Sequence, residues 1–250
     1  MSQRKNILIT GASSGLGAGM AREFAGKGRN LALAARRTDR LDALAEELRA
    51  AHPAVTVVTR QLDVNDHDSV FTVFREFRDE LGTIDRVVAN AGLGKGQPIG
   101  TGYFEANKQT AETNFVGLLA QCEAAMEIFL EQQAGHLVVV SSVSAVRGMR
   151  GTVTTYAASK AAAAALAEGI RSQHLPSPIK VTTLLPGYIE SEMTGRAGRT
   201  PLMIDARTGA RALVKAIERE QAKAYVPPWP WSLLAQVVRF APLGLVRKFG

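Results

Sequence analysis

The stretch Asn6–Gly17, "NILITGASSGLG", decides the reading of the fold. Ile7, Leu8 and Ile9 run apolar without alternation, the mark of a strand buried on both faces. The run breaks into Gly11-Ala12-Ser13-Ser14-Gly15-Leu16-Gly17, and a helical stretch follows. Glycines let the backbone turn tightly and let a ligand approach with no Cβ in the way. Free N–H groups at the start of a helix then favour an anion. A glycine loop alone is an ordinary turn, but between a strand and a helix it reads as a phosphate cradle. Gly11, Ser13, Ser14, Gly15, Leu16 and Gly17 are therefore candidates for holding a cofactor.

Working outward, the same alternation repeats. Apolar runs at Leu31–Ala35, Val55–Leu62, Arg86–Asn90, His136–Ser141 and Lys180–Leu185 are separated by helical stretches, and a last strand is expected near Tyr225. Strands alternating with helices mean crossover units and a parallel sheet. The expected fold is α/β, a single-domain Rossmann-type doubly wound sheet in three layers. Such sheets bind ligands beyond the carboxyl ends of their strands. No linker divides the chain, so residues 1–227 are expected to form one nucleotide-binding catalytic domain. Residues 228–250 form an apolar, cationic tail, part of that domain or an interface.

Composition narrows the function. The 250 residues carry a net charge of +7, but the arginines are scattered and aromatics are few, so nucleic acid is not an expected partner. An anionic cofactor or substrate accounts better for part of the charge. The single cysteine, Cys122, excludes an internal disulfide and points to a reducing, cytoplasmic compartment. No secretory signal, membrane span or metal site is expected.

The strand ends supply further candidates. Strand two ends in Ala35-Arg36-Arg37, where dinucleotide folds meet the adenosine ribose. An acid there would select NAD(H), whereas a guanidinium fork suits the 2′-phosphate of NADP(H). NADP(H) is thus preferred, with NAD(H) as the alternative. Arg36 is the better placed of the two, and Arg37 reads more easily as a solvated cap. Strand three ends in Asp63-Val64; Asn65 and Asp66 can cap the next helix, which leaves Asp63 for an adenine. Strand four ends in Asn90-Ala91-Gly92, small enough for a flat ligand to lie close.

Tyr156 and Lys160, in "YAASK", stand one helical turn apart on one face. A nearby cation favours a phenolate, which would fit the tyrosine to carry a proton at neutral pH. The lysine's remaining donors can hold ribose hydroxyls. A hydroxyl from Ser141, Ser142 or Ser144 can polarise the substrate oxygen. The run Ala161–Ala165 suggests that this helix is buried tightly against its neighbours, where a lysine is expensive unless paired or bound.

Together, "TGASSGLG", "NAG", the asparagine of "TNFVG", "SS", "YAASK" and "PGYIESEM" resemble the short-chain dehydrogenase/reductase family, over about residues 5–227. The resemblance implies NAD(P)-dependent oxidoreduction of a carbonyl or alcohol. It implies Tyr156 as acid/base, Lys160 on the nicotinamide ribose and Ser142 on the substrate oxygen. It further implies that Asn114 holds a water linking Lys160 to solvent, that Ile189 touches the nicotinamide, and that Ser191 touches its amide or the diphosphate. Ser142 lies one residue further from Tyr156 than is usual, so Ser144 stays open. Ser191 stands where the family more often has threonine.

A lid over about residues 192–208 is expected, with Met193, Leu202, Met203 and Ile204 facing an apolar substrate. A homodimer or homotetramer is expected through helices at Phe104–Leu130 and Tyr156–Ser172. The tail, with two tryptophans, is expected to pack on its own fold or a second subunit, with peripheral membrane contact as the alternative. The competing functions are an NADP-binding sensor and a membrane-peripheral scaffold.

Overall fold

A computed structural model of the chain describes residues 4–195 and 202–247. Strands β1 (Asn6–Thr10), β2 (Asn30–Ala35), β3 (Val57–Gln61), β4 (Arg86–Ala89), β5 (Gly135–Val140), β6 (Ile179–Pro186) and β7 (Lys223–Val226) form one parallel sheet ordered β3-β2-β1-β4-β5-β6-β7. Strand order reverses between β1 and β4, which opens a crevice at their carboxyl ends.

Alternate side chains of the strands feed two separate cores. On β1, Ile7 and Ile9 enter one core and Leu8 the other. The first core is covered by α1 (Gly15–Ala25), α2 (Thr38–Ala51) and α8 (Ala206–Glu218). The second is covered by α3 (His67–Leu81), α5 (Gly117–Gln132) and α6 (Thr154–Gln173). Helix α3 shows how sequence sets this packing. Asp66 caps it by accepting from the Ser69 amide at 3.2 Å, and Val70, Val73, Phe74 and Phe77 recur at helical spacing on the buried face. Burying each phenylalanine contributes roughly 1.5–3 kcal/mol. Helix α4 (Phe104–Ala111) continues through a π turn, Glu112–Val116, into α5. Short α7 (Glu192–Gly195) follows β6, and α9 (Pro228–Phe240) and α10 (Leu243–Val246) close the described chain.

Three expectations need correction. The alanine run of α6 is not one buried face: Ala163 is buried with Ala157 and Ala167, but Ala165 is exposed and its neighbours are half-covered. A turn of 3.6 residues sends five consecutive side chains around most of the helix. The segment expected as a lid runs at its far end into α8, which begins at Ala206, capped by Asp205. Ile204 bridges to Ile189 and packs against the first core, so it does not face a substrate. Residues 196–201 of that segment lie outside the described residues. The tail buries Trp231, Ala235 and Val246 but leaves most of its large apolar side chains exposed.

At the amino edge of the sheet sits a buried ion network. Arg86, 2% exposed, pairs with Glu218 at 2.6 Å and donates to His136 Nδ1 at 2.8 Å. Arg29 meets the other Glu218 oxygen at 2.8 Å, and Arg4 meets Glu220 at 2.9 Å. Burial first, then Arg86 and Arg4, keep His136 neutral. With Nδ1 accepting from Arg86, its proton sits on Nε2, 2.8 Å from Thr182 Oγ1.

Candidate active site

The carboxyl ends of the central strands converge on a cleft of about 440 Å³. Its floor is the glycine loop between β1 and α1. Gly11 has φ +63°, and a Cβ there would lie 2.9 Å from Ala91 Cα. A Cβ on Gly17 would collide with the Gly11 carbonyl oxygen. Gly17 is thus a packing glycine beneath the loop, while Gly11, Ser13, Ser14, Gly15 and Leu16 line the cleft. No side chain caps α1: Ser14 Oγ instead accepts from Arg37 Nη2 at 2.6 Å. The first amides of α1 are left for an acceptor from outside.

Both arginines after β2 line the cleft, but their engagement reverses the sequence reading. Arg37, expected to be a solvated cap, pairs with Ser14 and with Glu192 at 3.0 Å. Arg40 also pairs with Glu192. Hydrogen bonds from Arg40 and Arg37 hold that carboxylate below its ordinary value. Arg36 is more open, 3.8 Å from Asp63 Oδ2. Asp63 is spared capping duty by Asp66; besides Arg36, its side chain accepts the Asn65 amide at 3.1 Å. Val64 lines the cleft beside it. Asn90 donates to the Thr10 carbonyl at 3.0 Å, tying β4 to β1, and lines the cleft with Ala91 and Gly92.

At the far end stand Tyr156, Ser142 and Lys160. Ser141 Oγ donates to the Lys160 carbonyl at 2.7 Å, which fixes the start of α6 against the end of β5. Ser142 Oγ accepts from the Ser144 amide at 3.1 Å and favours the phenolate of Tyr156 by hydrogen bonding. Ser142 lines the cleft and Ser144 is not among its lining residues.

Lys160 is 5% exposed; its Nζ donates to the Val140 carbonyl at 2.9 Å and stands 5.9 Å from the Tyr156 ring centroid. Burial pulls this ammonium down to about 8. Burial also pushes the Tyr156 phenol up; Ser142 opposes this and the Tyr188 phenol adds to it. The expected lowering of the phenol by the lysine is therefore not found in the ligand-free protein. Lys160 stands over the ring, and desolvation dominates both groups.

Asn114, in the π turn, is buried and outside the cleft lining. Its Oδ1 accepts from the Leu93 amide at 2.7 Å, and its Nδ2 donates to the Leu93 carbonyl at 2.8 Å. It clamps the loop after β4, and its Oδ1 and the Lys160 Nζ both lie close beside Gly92. Ile189 and Ser191 line the cleft, and the Ser191 hydroxyl lies 3.1 Å from Thr194 Oγ1. Thr194, Glu192 and Tyr188 were not singled out from sequence. The partners of Glu192 and Tyr188 lie far away in the chain, whereas Thr194 bonds locally to Ser191 and Ile189.

The lining fits a dinucleotide: a cradle that Cβ atoms would fill, uncapped helix amides, cations at one end and a hydroxyl pair with a lysine at the other. The family model for short chain dehydrogenases matches residues 5–201, and the chain belongs to that family. It is an oxidoreductase on a Rossmann-type nucleotide-binding fold. An uncharacterized oxidoreductase of Mycobacterium tuberculosis is 53% identical over 246 residues, 98% of this chain and 97% of its own. The 11-beta-hydroxysteroid dehydrogenase 1A of Arabidopsis thaliana is 33% identical, covering 90% of this chain and 69% of its own. The X-ray structure of an alcohol dehydrogenase from the archaeon Thermococcus sibiricus, complexed with 5-hydroxy-NADP, superposes with TM-score 0.78 at 28% identity, covering 90% of this chain and 96% of its own.

Proposed function

We propose that the protein interconverts an apolar ketone and its secondary alcohol with NADP(H), NAD(H) serving less well. The observation that carries this reading is the placement of Tyr156, Ser142 and Lys160 at one end of a single cleft whose other end is the glycine loop. Bound NADPH would supply the hydride. In reduction, Tyr156 gives its phenolic proton to the substrate oxygen while Ser142 donates a hydrogen bond to it. In oxidation the same proton returns to the phenolate. Lys160 holds ribose hydroxyls, and Asn114 positions the loop beneath it. The glycine loop takes the diphosphate, Asp63 and Val64 the adenine, and Asn90, Ala91 and Gly92 the flat face of the ligand. Ile189 and Ser191 take the nicotinamide side. Arg36 and Arg37 take the 2′-phosphate, which would replace Glu192 as the counter-ion of Arg37.

An apolar substrate fits Tyr188 and Trp231, whose rings stand edge to face with centroids 5.5 Å apart beside the tyrosine. The steroid named for the Arabidopsis relative is of that chemistry. The half-exposed alanines of α6 suit close approach of a second subunit, and we assign the homo-oligomer to α4–α5 and α6. The buried, lone Cys122 fits the cytoplasm. The test is a screen of hydrophobic ketones and secondary alcohols with both cofactors, read at the reduced nicotinamide absorbance. Turnover that prefers NADPH is expected. NADPH binding without turnover on any carbonyl or alcohol would overturn the reading in favour of a sensor.

A further inference from the structure

Helix α9 presents two apolar faces, and the fold uses only one. On the inner face the Trp231 indole packs against Gly187, where a Cβ would overlap its ring, and Ala235 follows one turn on. On the outer face Trp229 is 72% exposed and Phe240 77%, with Leu233 and Val237 between them and Leu243 and Leu245 of α10 beyond. Leu233, Val237 and Phe240, four and three residues apart, make a continuous stripe along the helix, and Trp229 lies exposed at the non-helical kink before it. A solvated helix face would be polar there.

The charge around the stripe has one sign. No Asp or Glu follows Glu220, and the remaining residues carry Lys223, Arg239, Arg247 and Lys248. Two elements packed under α9, β7 and the turn Val143–Val146, hold no acid either; the segment after β6, whose Tyr188 meets Trp231, carries the nearest one in sequence, Glu190. Arg147, just after that turn, donates to the Arg239 carbonyl at 2.7 Å, which brings a further cation to the end of the helix. A second copy docked on this stripe would set cations against cations with no carboxylate to answer them. An anionic lipid surface supplies the missing charge, and its acyl region accepts the apolar side chains. No helix among the described residues is long and apolar enough to cross a membrane, so contact is in the plane of the interface.

We propose that the outer face of α9 and α10 is a docking surface for anionic membranes. Docking would hold Gly187, a cleft residue on which the Trp231 indole packs, near the lipid interface, where an apolar substrate partitions. The docking itself stands independently of the reaction proposed above and is measured without turnover.

The test is sedimentation of the full chain with vesicles of phosphatidylcholine alone or mixed equally with phosphatidylglycerol. Binding to the mixed vesicles that weakens with salt is expected. The triple variant Leu233→Ser, Val237→Ser, Phe240→Ser should lose about tenfold or more in binding, with cofactor binding retained as proof of folding. A second readout needs no disruptive change. Brominated lipid should quench tryptophan emission in the wild type and much less in Trp229→Phe, because Trp231 is buried. Absence of binding, or equal quenching in Trp229→Phe, would overturn the proposal. So would self-association that the triple variant abolishes without any vesicle binding, which would assign the stripe to a subunit interface.

Discussion

Both ends of the sheet bury cations, and Arg86 at one end and Lys160 at the other are held in different ways. At the amino edge Arg86 meets Glu218 and His136 directly, with Arg29 and Arg4 completing the network. At the carboxyl edge Lys160 has, among the described residues, a single backbone carbonyl, from Val140, and no carboxylate. Burial lowers both cations, but Glu218 and Glu220 resist the fall at Arg86. The first site is closed and electrostatically answered. The second stores an unanswered charge at the wall of a cleft, ready for an outside acceptor. The contrast separates a charge that maintains the fold from one that the fold tolerates for a ligand.

The largest expected effect sharpens the ligand side. Tyr156→Phe should retain NADPH binding and the wild-type melting temperature but lose about 10²–10⁴-fold in turnover. Undiminished turnover would break the assignment. Arg86→Met is the mirror experiment: it leaves Glu218 and His136 short of a partner and should cost about 3–5 kcal/mol of stability in denaturant titration. The turnover of the folded fraction should stay near wild type. A variant as stable as the parent would remove one half of the comparison. Arg37→Ala should weaken NADPH by about tenfold or more, the loss of one charge-assisted contact, and leave NADH nearly unchanged. Equal losses for both cofactors, read by fluorescence titration, would contradict the phosphate assignment.

The elements behind this contrast were unequally legible. Strands buried on both faces leave apolar runs, so β1, β2, β4 and β5 stand out in the sequence with the glycine loop, while the half-exposed edge strands β3 and β7 are marked less clearly. Asp66 announces the start of α3, and so leaves Asp63 free. Arg37 was misjudged because its partner Glu192 arrives from beyond β6, which no local pattern records. The Tyr156–Lys160 spacing placed both groups correctly on one helix face. Their proton affinities depend on how much protein closes over them, which spacing does not carry. The alanine run looked like one buried face because its composition is uniform, yet the helical turn distributes it around the axis. The exposed stripe of α9 was visible as an apolar tail, but only the fold shows which of its faces is spent on Gly187.

The same contrast has a pH signature. Lys160 is at about 8 in the folded protein and near 10.5 when unfolded. Below pH 8 both states hold the proton, and the folded state bears the whole cost of the buried charge. Between those values the unfolded chain binds more protons than the native one, so this lysine makes stability rise with pH. The cost at neutral pH is about 3 kcal/mol, partly offset by its hydrogen bond to Val140.

The most direct measurement is the stability of ligand-free Lys160→Met against wild type across this range. The account predicts a variant about 1–2 kcal/mol more stable at pH 7, with the gap shrinking as pH rises from 8 towards 10.5. A variant less stable than wild type at pH 7, as expected for Arg86→Met, would contradict it and make Lys160 another charge that maintains the fold.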